Sequence, residues 1–97
     1  MILHTVNTSP FRTDCLRACL RFIGEGDAVV LLEDGVYGAS LGVETGLDAL
    51  PDLPIYAITA DVEARGLADR ISDRVQLIDY NGFVELCTRY ALIKNWS

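Results

Sequence analysis

Four short apolar runs divide the chain: Ile2–Val6, Ala28–Leu32, Ile55–Ile58 and Val75–Ile78. Runs of this length, bounded by Gly, Pro, Asn or Asp, predict strands. The stretches between them have helical spacing. Thr13 or Asp14 is placed to cap a helix running to Ile23, with Gly24 as its stop. At about 100° per residue, Cys15, Leu16, Cys19, Leu20, Phe22 and Ile23 share one broad face, with Asp14, Arg17 and Arg21 opposite. Asp61 is placed to cap a short helix, Val62 to Arg65, that stops at Gly66. Asp79 to Gly82 turns the chain into a last helix, Phe83 to about Leu92. The tail, Ile93 to Ser97, has no assignable pattern.

The second run is the most sharply bounded. Val29–Leu32 stops at Glu33, Asp34 and Gly35, so a turn follows a fully buried strand. A hairpin at Asp34-Gly35 needs an alternating strand after it. Val36–Gly42 is too glycine-rich to be one. With Gly38, Gly42 and Gly46 recurring, Val36 to Leu50 is expected to be an irregular or marginal helix. Strands alternating with helical stretches predict an α/β domain with a mainly parallel sheet of four to five strands and helices on both faces. Its crossovers should be right-handed.

Composition narrows the function. At 97 residues the chain is expected to be one domain, residues 1–97, with a single small core. Its hydrophobic fraction of 51% excludes disorder and is high for so small a domain, which suggests that another chain covers some of its surface. The net charge of −6 and the lack of a basic stripe argue against direct nucleic-acid binding. No segment reaches the roughly 20 apolar residues of a membrane span. Met1–Thr5 lacks the basic region of a signal peptide. Three cysteines, Cys15, Cys19 and Cys87, do not make a disulfide scaffold, so a cytoplasmic protein with reduced thiols is expected.

Few motifs carry chemistry. The glycines match neither a dinucleotide fingerprint nor a phosphate-cradling loop, and read as a loosely ordered connection. Glu33 and Asp34 lack the further acids and the lysine that a metal or phosphoacceptor site needs. Asp34 reads instead as a turn cap, and both acids as part of a contact surface. His4, the only histidine, has no serine in a nucleophile-elbow setting to work with. It reads as a hydrogen-bonded structural residue or a subunit contact. Cys15 and Cys19 are neighbours on a helix and do not form a Cys-x-x-Cys pair. Cys19 falls mid-face and reads as a small buried hydrophobe. Cys15, in the first turn, is the better thiolate on physical grounds. Cys87 reads as core.

Leu3-His4-Thr5-Val6-Asn7 followed by Ser9-Pro10-Phe11 resembles the opening of the DsrH/TusB family. Further along, the resemblance is carried by Glu25-Gly26-Asp27, Leu32–Tyr37, Tyr56-Ala57, Asp61–Leu67, Ile78-Asp79-Tyr80, Phe83-Val84 and Trp96. It runs the whole length of the chain. It implies a flavodoxin-like three-layer α/β/α subunit in a cytoplasmic heterohexamer with DsrE/TusD-like and DsrF/TusC-like subunits, two copies of each. It also implies a persulfide relay that hands sulfur to a DsrC/TusE-like carrier. In the Tus branch the sulfur ends as the 2-thio group of a tRNA wobble uridine; in the Dsr branch the relay serves sulfur oxidation. No cofactor is implied. The principal cysteine of the relay lies on the DsrE/TusD-like partner, but Ala18-Cys19-Leu20 aligns with a first-helix cysteine of some DsrH members. Cys19, Asn7 and Ile2-Leu3 tilt the chain toward the DsrH side.

Within that frame, Cys19 is the candidate persulfide carrier, and His4, Glu33, Asp34, Gly35, Tyr37 and Trp96 are candidate subunit contacts. Trp96 is expected to pack on the sheet or against a neighbour. Two alternatives stand beside this reading: an independent sulfurtransferase using Cys19, and an unrelated small α/β ligand-binding protein.

Overall fold

Five strands form one sheet in the order β4-β3-β2-β1-β5, and every neighbouring pair is parallel. The structure, a computed structural model, describes residues 1–97. The strands are β1 (Ile2–Val6), β2 (Ala28–Leu31), β3 (Ile55–Ile58), β4 (Gln76–Ile78) and β5 (Leu92–Trp96). The helices are α1 (Cys15–Arg21), α2 (Thr59–Ala64) and α3 (Tyr80–Arg89). The chain builds outward from β1 to β4, then crosses back so that β5 lies on the other side of β1.

Strand alternation divides the core between two faces. On one face Val6, Val29, Leu31, Ile55 and Ala57 pack with Leu16 and Cys19 of α1 and Val62 of α2. On the other, Leu3, Val30 and Ile58 pack with Leu86; Phe83 and Cys87 complete the inner side of α3, and Tyr90 packs just beyond its end. The result is the expected three-layer α/β/α arrangement. β2 is buried along its whole length, as its uninterrupted apolar run requires.

Several element boundaries differ from the sequence expectation, each for a local reason. α1 ends at Arg21, and Phe22 turns out to solvent, 68% exposed. The Thr13 hydroxyl, not the Asp14 carboxylate, accepts from the Cys15 N–H at the helix start. α2 begins at Thr59, before Asp61, so Asp61 is not its cap; its carboxylate accepts from the Glu33 N–H at 2.8 Å. α3 starts at Tyr80 because the Asp79 carboxylate caps it, accepting from the Gly82 N–H at 2.7 Å. The unassigned tail is β5, in register with β1 from Ile2↔Leu92 to Val6↔Trp96.

The glycine-spaced segment also corrects its expectation. A 3-10 run, Glu33–Ala39, replaces the marginal helix, with a second short turn at Leu47–Ala49. It is not loose. A Cβ on Gly35 would lie 2.0 Å from the Val6 carbonyl oxygen, and one on Gly38 would lie 2.7 Å from a Leu16 methyl. Glycine at both places lets this run press onto β1 and α1.

Candidate functional site

Three groups of residues bear on function. The first is buried beneath α1. His4 on β1 is 1% exposed and lies between Asp27 and Trp96. The Trp96 indole N–H can only donate, and it points at His4 Nδ1 from 3.1 Å. Nδ1 is therefore the acceptor, and Nε2–H donates to Asp27 Oδ2 at 2.9 Å. The indole donor thus assigns the roles of the two ring nitrogens. Asp27 also accepts from the Ile2 N–H at 2.8 Å and the Gly24 N–H at 3.0 Å. Burial pushes the Asp27 carboxyl upward, but the Gly24 N–H, the His4 imidazole and the Ile2 N–H outweigh it and hold the group below the usual aspartate range. Trp96 is clamped further by Phe22, 5.5 Å between ring centroids, and by the Lys94 ammonium, 4.7 Å from its ring centre. Trp96 thus packs on the sheet of its own chain. His4 presents no surface of its own in this chain.

Cys19 lies in the same layer and is fully enclosed. Burial pushes its thiol up to about 12, with the negative charge of Asp27 and then Cys15 adding to the rise and Lys94 opposing it. A sulfur nucleophile needs the reverse setting, a partly open and electropositive one. The sequence placed Cys19 mid-face, and the structure turns that position into a sealed one. Cys15 and Cys87 are each half-buried and free.

The second group lies at the carboxyl end of β2. Glu33 has a left-handed backbone, φ 50°, unusual for a residue with a side chain. Its N–H is held by Asp61. Asp34 does not cap the turn. It accepts from Arg65 Nε at 2.9 Å and sits 2.8 Å from Arg65 Nη2, while Arg65 Nη1 donates to the Asp61 carbonyl at 3.1 Å. Tyr37 meets exposed Phe11 edge-on, 6.3 Å between centroids. Glu33, Asp34 and Tyr37 therefore share one shoulder, with Gly35 buried beneath it. No three His, Cys, Asp or Glu side chains come together in a metal-holding group. A cleft of about 480 Å³ lies at the opposite, amino end of β2 and β3, between Ile23–Asp27 and Ala49–Pro54, and no cysteine lines it.

The third group is the β5 edge, which carries Lys94 and exposed Leu92 and Ile93. Sequence reasoning missed Asp27, Arg65 and Lys94. An acid directly before an apolar strand was the one signal for Asp27; the other two depend on distant partners. No helix is long and apolar enough to cross a membrane.

Comparison with known proteins fits this architecture. A family model described as DsrH like protein matches residues 8–92. The chain is 42% identical over 96 residues to protein TusB of Pectobacterium parmentieri, covering 98% of this chain and 100% of that one. It is 47% identical over 90 residues to TusB of Erwinia tasmaniensis, covering 91% and 93%, and 42% identical over 97 residues to TusB of Escherichia coli, covering 98% and 100%. Among solved structures, the ychN protein of E. coli superposes with a TM-score of 0.81 at 14% identity, over 98% of this chain and 97% of that one. That is a likeness of fold. The solution structure of protein Tm0979 from Thermotoga maritima superposes with a TM-score of 0.68 at 29% identity, over 92% and 93%.

Proposed function

We propose, from the premise that the chain belongs to the DsrH-like family, that it is a subunit of a cytoplasmic sulfur-relay complex and carries no sulfur itself. The name shared by its relatives at 41–47% identity favours the Tus branch over the Dsr side suggested by Cys19. The assembly is then a heterohexamer with DsrE/TusD-like and DsrF/TusC-like subunits. Its product is persulfide sulfur delivered to a DsrC/TusE-like carrier for tRNA wobble-uridine 2-thiolation.

One observation carries the choice of scaffold over carrier. In a relay step a thiolate attacks the outer sulfur of a persulfide, and the donor cysteine leaves as its own thiolate. A thiol near 12 is ionised at neutral pH in roughly one molecule in a hundred thousand. Cys19 also has no exposed surface through which a donor could reach it. The same enclosure argues against an independent sulfurtransferase. On this reading the chain supplies shape: the Glu33–Tyr37 shoulder and the strand edges position the subunits that do the chemistry.

Co-expression with the two paralogous subunits, followed by native mass spectrometry and persulfide trapping, tests this. The expected result is a heterohexamer with no persulfide on this chain, and a Cys19→Ser version that supports the relay as well as the parent. A chain that stays monomeric beside both paralogues, or one that loads persulfide at Cys19, overturns it.

A further inference from the structure

We infer that the open edge of β5 is a docking edge for a strand of a different chain, apolar and carrying a carboxylate opposite Lys94. This rests on the reading of the chain as a subunit of a mixed assembly and says where one partner joins it. β5 pairs with β1 alone, so its outer row of N–H and C=O groups has no strand partner. Such an edge is a template for another strand unless charge, proline, a bulge or a covering element blunts it. Leu92–Trp96 has no proline and pairs with β1 without a bulge, and its one charge, Lys94, guards it only against partners that bring no acid. Leu92 is 63% exposed on one face of the sheet and Ile93 51% exposed on the other, with exposed Phe22 stacked beside Trp96. Apolar surface on both faces of an unpaired edge suits strand addition, where the backbone supplies affinity and the alternating side chains supply specificity.

Charge selects the occupant. Lys94 is the only lysine in a chain of net charge −6, and it stands at the centre of this edge. It forms no ion pair within the chain; its ammonium rests over the Trp96 ring. A second copy cannot complement it through the same edge. Two copies of one edge meet antiparallel about a two-fold axis, and Leu92–Trp96 contains no acid to offer. The centred register sets Lys94 against Lys94 of the other copy, which is destabilising for directly opposed residues. A strand from another subunit with Asp or Glu at that position satisfies both the open backbone and the unpaired ammonium.

The test uses the complex with the DsrE/TusD-like and DsrF/TusC-like subunits, measuring amide hydrogen exchange across 92–96 in the free chain and in the complex. Exchange there should slow at least tenfold on assembly. Lys94→Glu should weaken assembly by about tenfold, the swing from an opposed unlike pair to a like pair, while Lys94→Arg should preserve it. Circular dichroism and thermal melting of each free variant separate lost docking from lost folding. If the complex forms with unchanged exchange at β5 and unchanged affinity in Lys94→Glu, the edge assignment fails and the subunit reading stands. If no complex forms, both fail. If the free chain dimerises with protection confined to β5, the occupant is a second copy and the inference is overturned.

Discussion

Replacing Asp27 by Asn should destabilise the chain far more than the loss of one surface charge. The carboxylate accepts three hydrogen bonds: from the Ile2 N–H, the Gly24 N–H and His4 Nε2–H, at 2.8, 3.0 and 2.9 Å. An amide keeps one oxygen. With that oxygen toward Ile2, the amide N–H groups face the Gly24 N–H and His4 Nε2–H. Turned over, they face the Ile2 N–H. His4 cannot relieve the conflict by changing tautomer, because its Nδ1 is already the acceptor for the Trp96 indole. One or two hydrogen bonds to a charged group are lost, each contributing about 1.5–3 kcal/mol, so the expected loss is about 2–4 kcal/mol. For a domain of this size that lowers Tm by roughly 10–20 °C. Urea unfolding at pH 7, followed by Trp96 fluorescence and circular dichroism, measures it. Asp52→Asn on the exposed Pro51–Pro54 loop serves as the control, expected to stay within about 0.5 kcal/mol of the parent.

The pH dependence has a definite sign. The folded-state carboxyl is held below its unfolded value, so its contribution is complete above about pH 3.9, the ordinary aspartate value, and is lost as pH falls through the lower folded value. The parent should therefore lose stability between pH 4 and more acid conditions, and Asp27→Asn should lose less over the same range. A variant as stable as the Asp52→Asn control, or one with the parent's full acid dependence, would refute the claim that this carboxylate anchors the chain's first strand.

Three further outcomes follow from the same geometry. Iodoacetamide at pH 8 should label Cys15 and Cys87 of the native chain while Cys19 reacts only after unfolding, as peptide mass spectrometry would show; equal rates at all three would contradict the sealed thiol. Gly35→Ala drives a Cβ into the Val6 carbonyl, where backbone meets backbone and no side chain can yield. A loss of about 3 kcal/mol or failure to accumulate as soluble protein is expected, and an unchanged urea midpoint would exclude the close approach. Trp96→Phe keeps the aromatic contact with Phe22 but leaves His4 Nδ1 buried and unpaired, at a loss of about 1–2 kcal/mol by thermal melting; no change would mean that the indole bond is replaced by water.

Strands β1 to β4 were legible because each is a short apolar run between breakers; for β2, burial on both faces of a parallel sheet demands such a run, while β4 lies at the sheet edge with Gln76 and Leu77 exposed. The three-layer class followed from the alternation of these runs with helical stretches. β5 was not legible. Leu92 and Ile93 are exposed on opposite faces, so the segment shows neither the unbroken run of a buried strand nor the alternation of a half-buried one. It is a strand only because β1 leaves an edge open for it. The acids after β2 were visible as a boundary, but Asp61 and Arg65, which hold them, come from about thirty positions away. The site differs from the fold for the same reason. Helical spacing put Cys19 on the buried face, but only packing shows that it is sealed and its thiol suppressed. His4 stood out by being the sole histidine, yet its partners lie 23 and 92 positions away. Local periodicity reports which side of an element faces the core. Which polar groups meet inside that core, and which edge stays open to a partner, depend on contacts between segments far apart in the chain, and those exist only once the sheet has assembled.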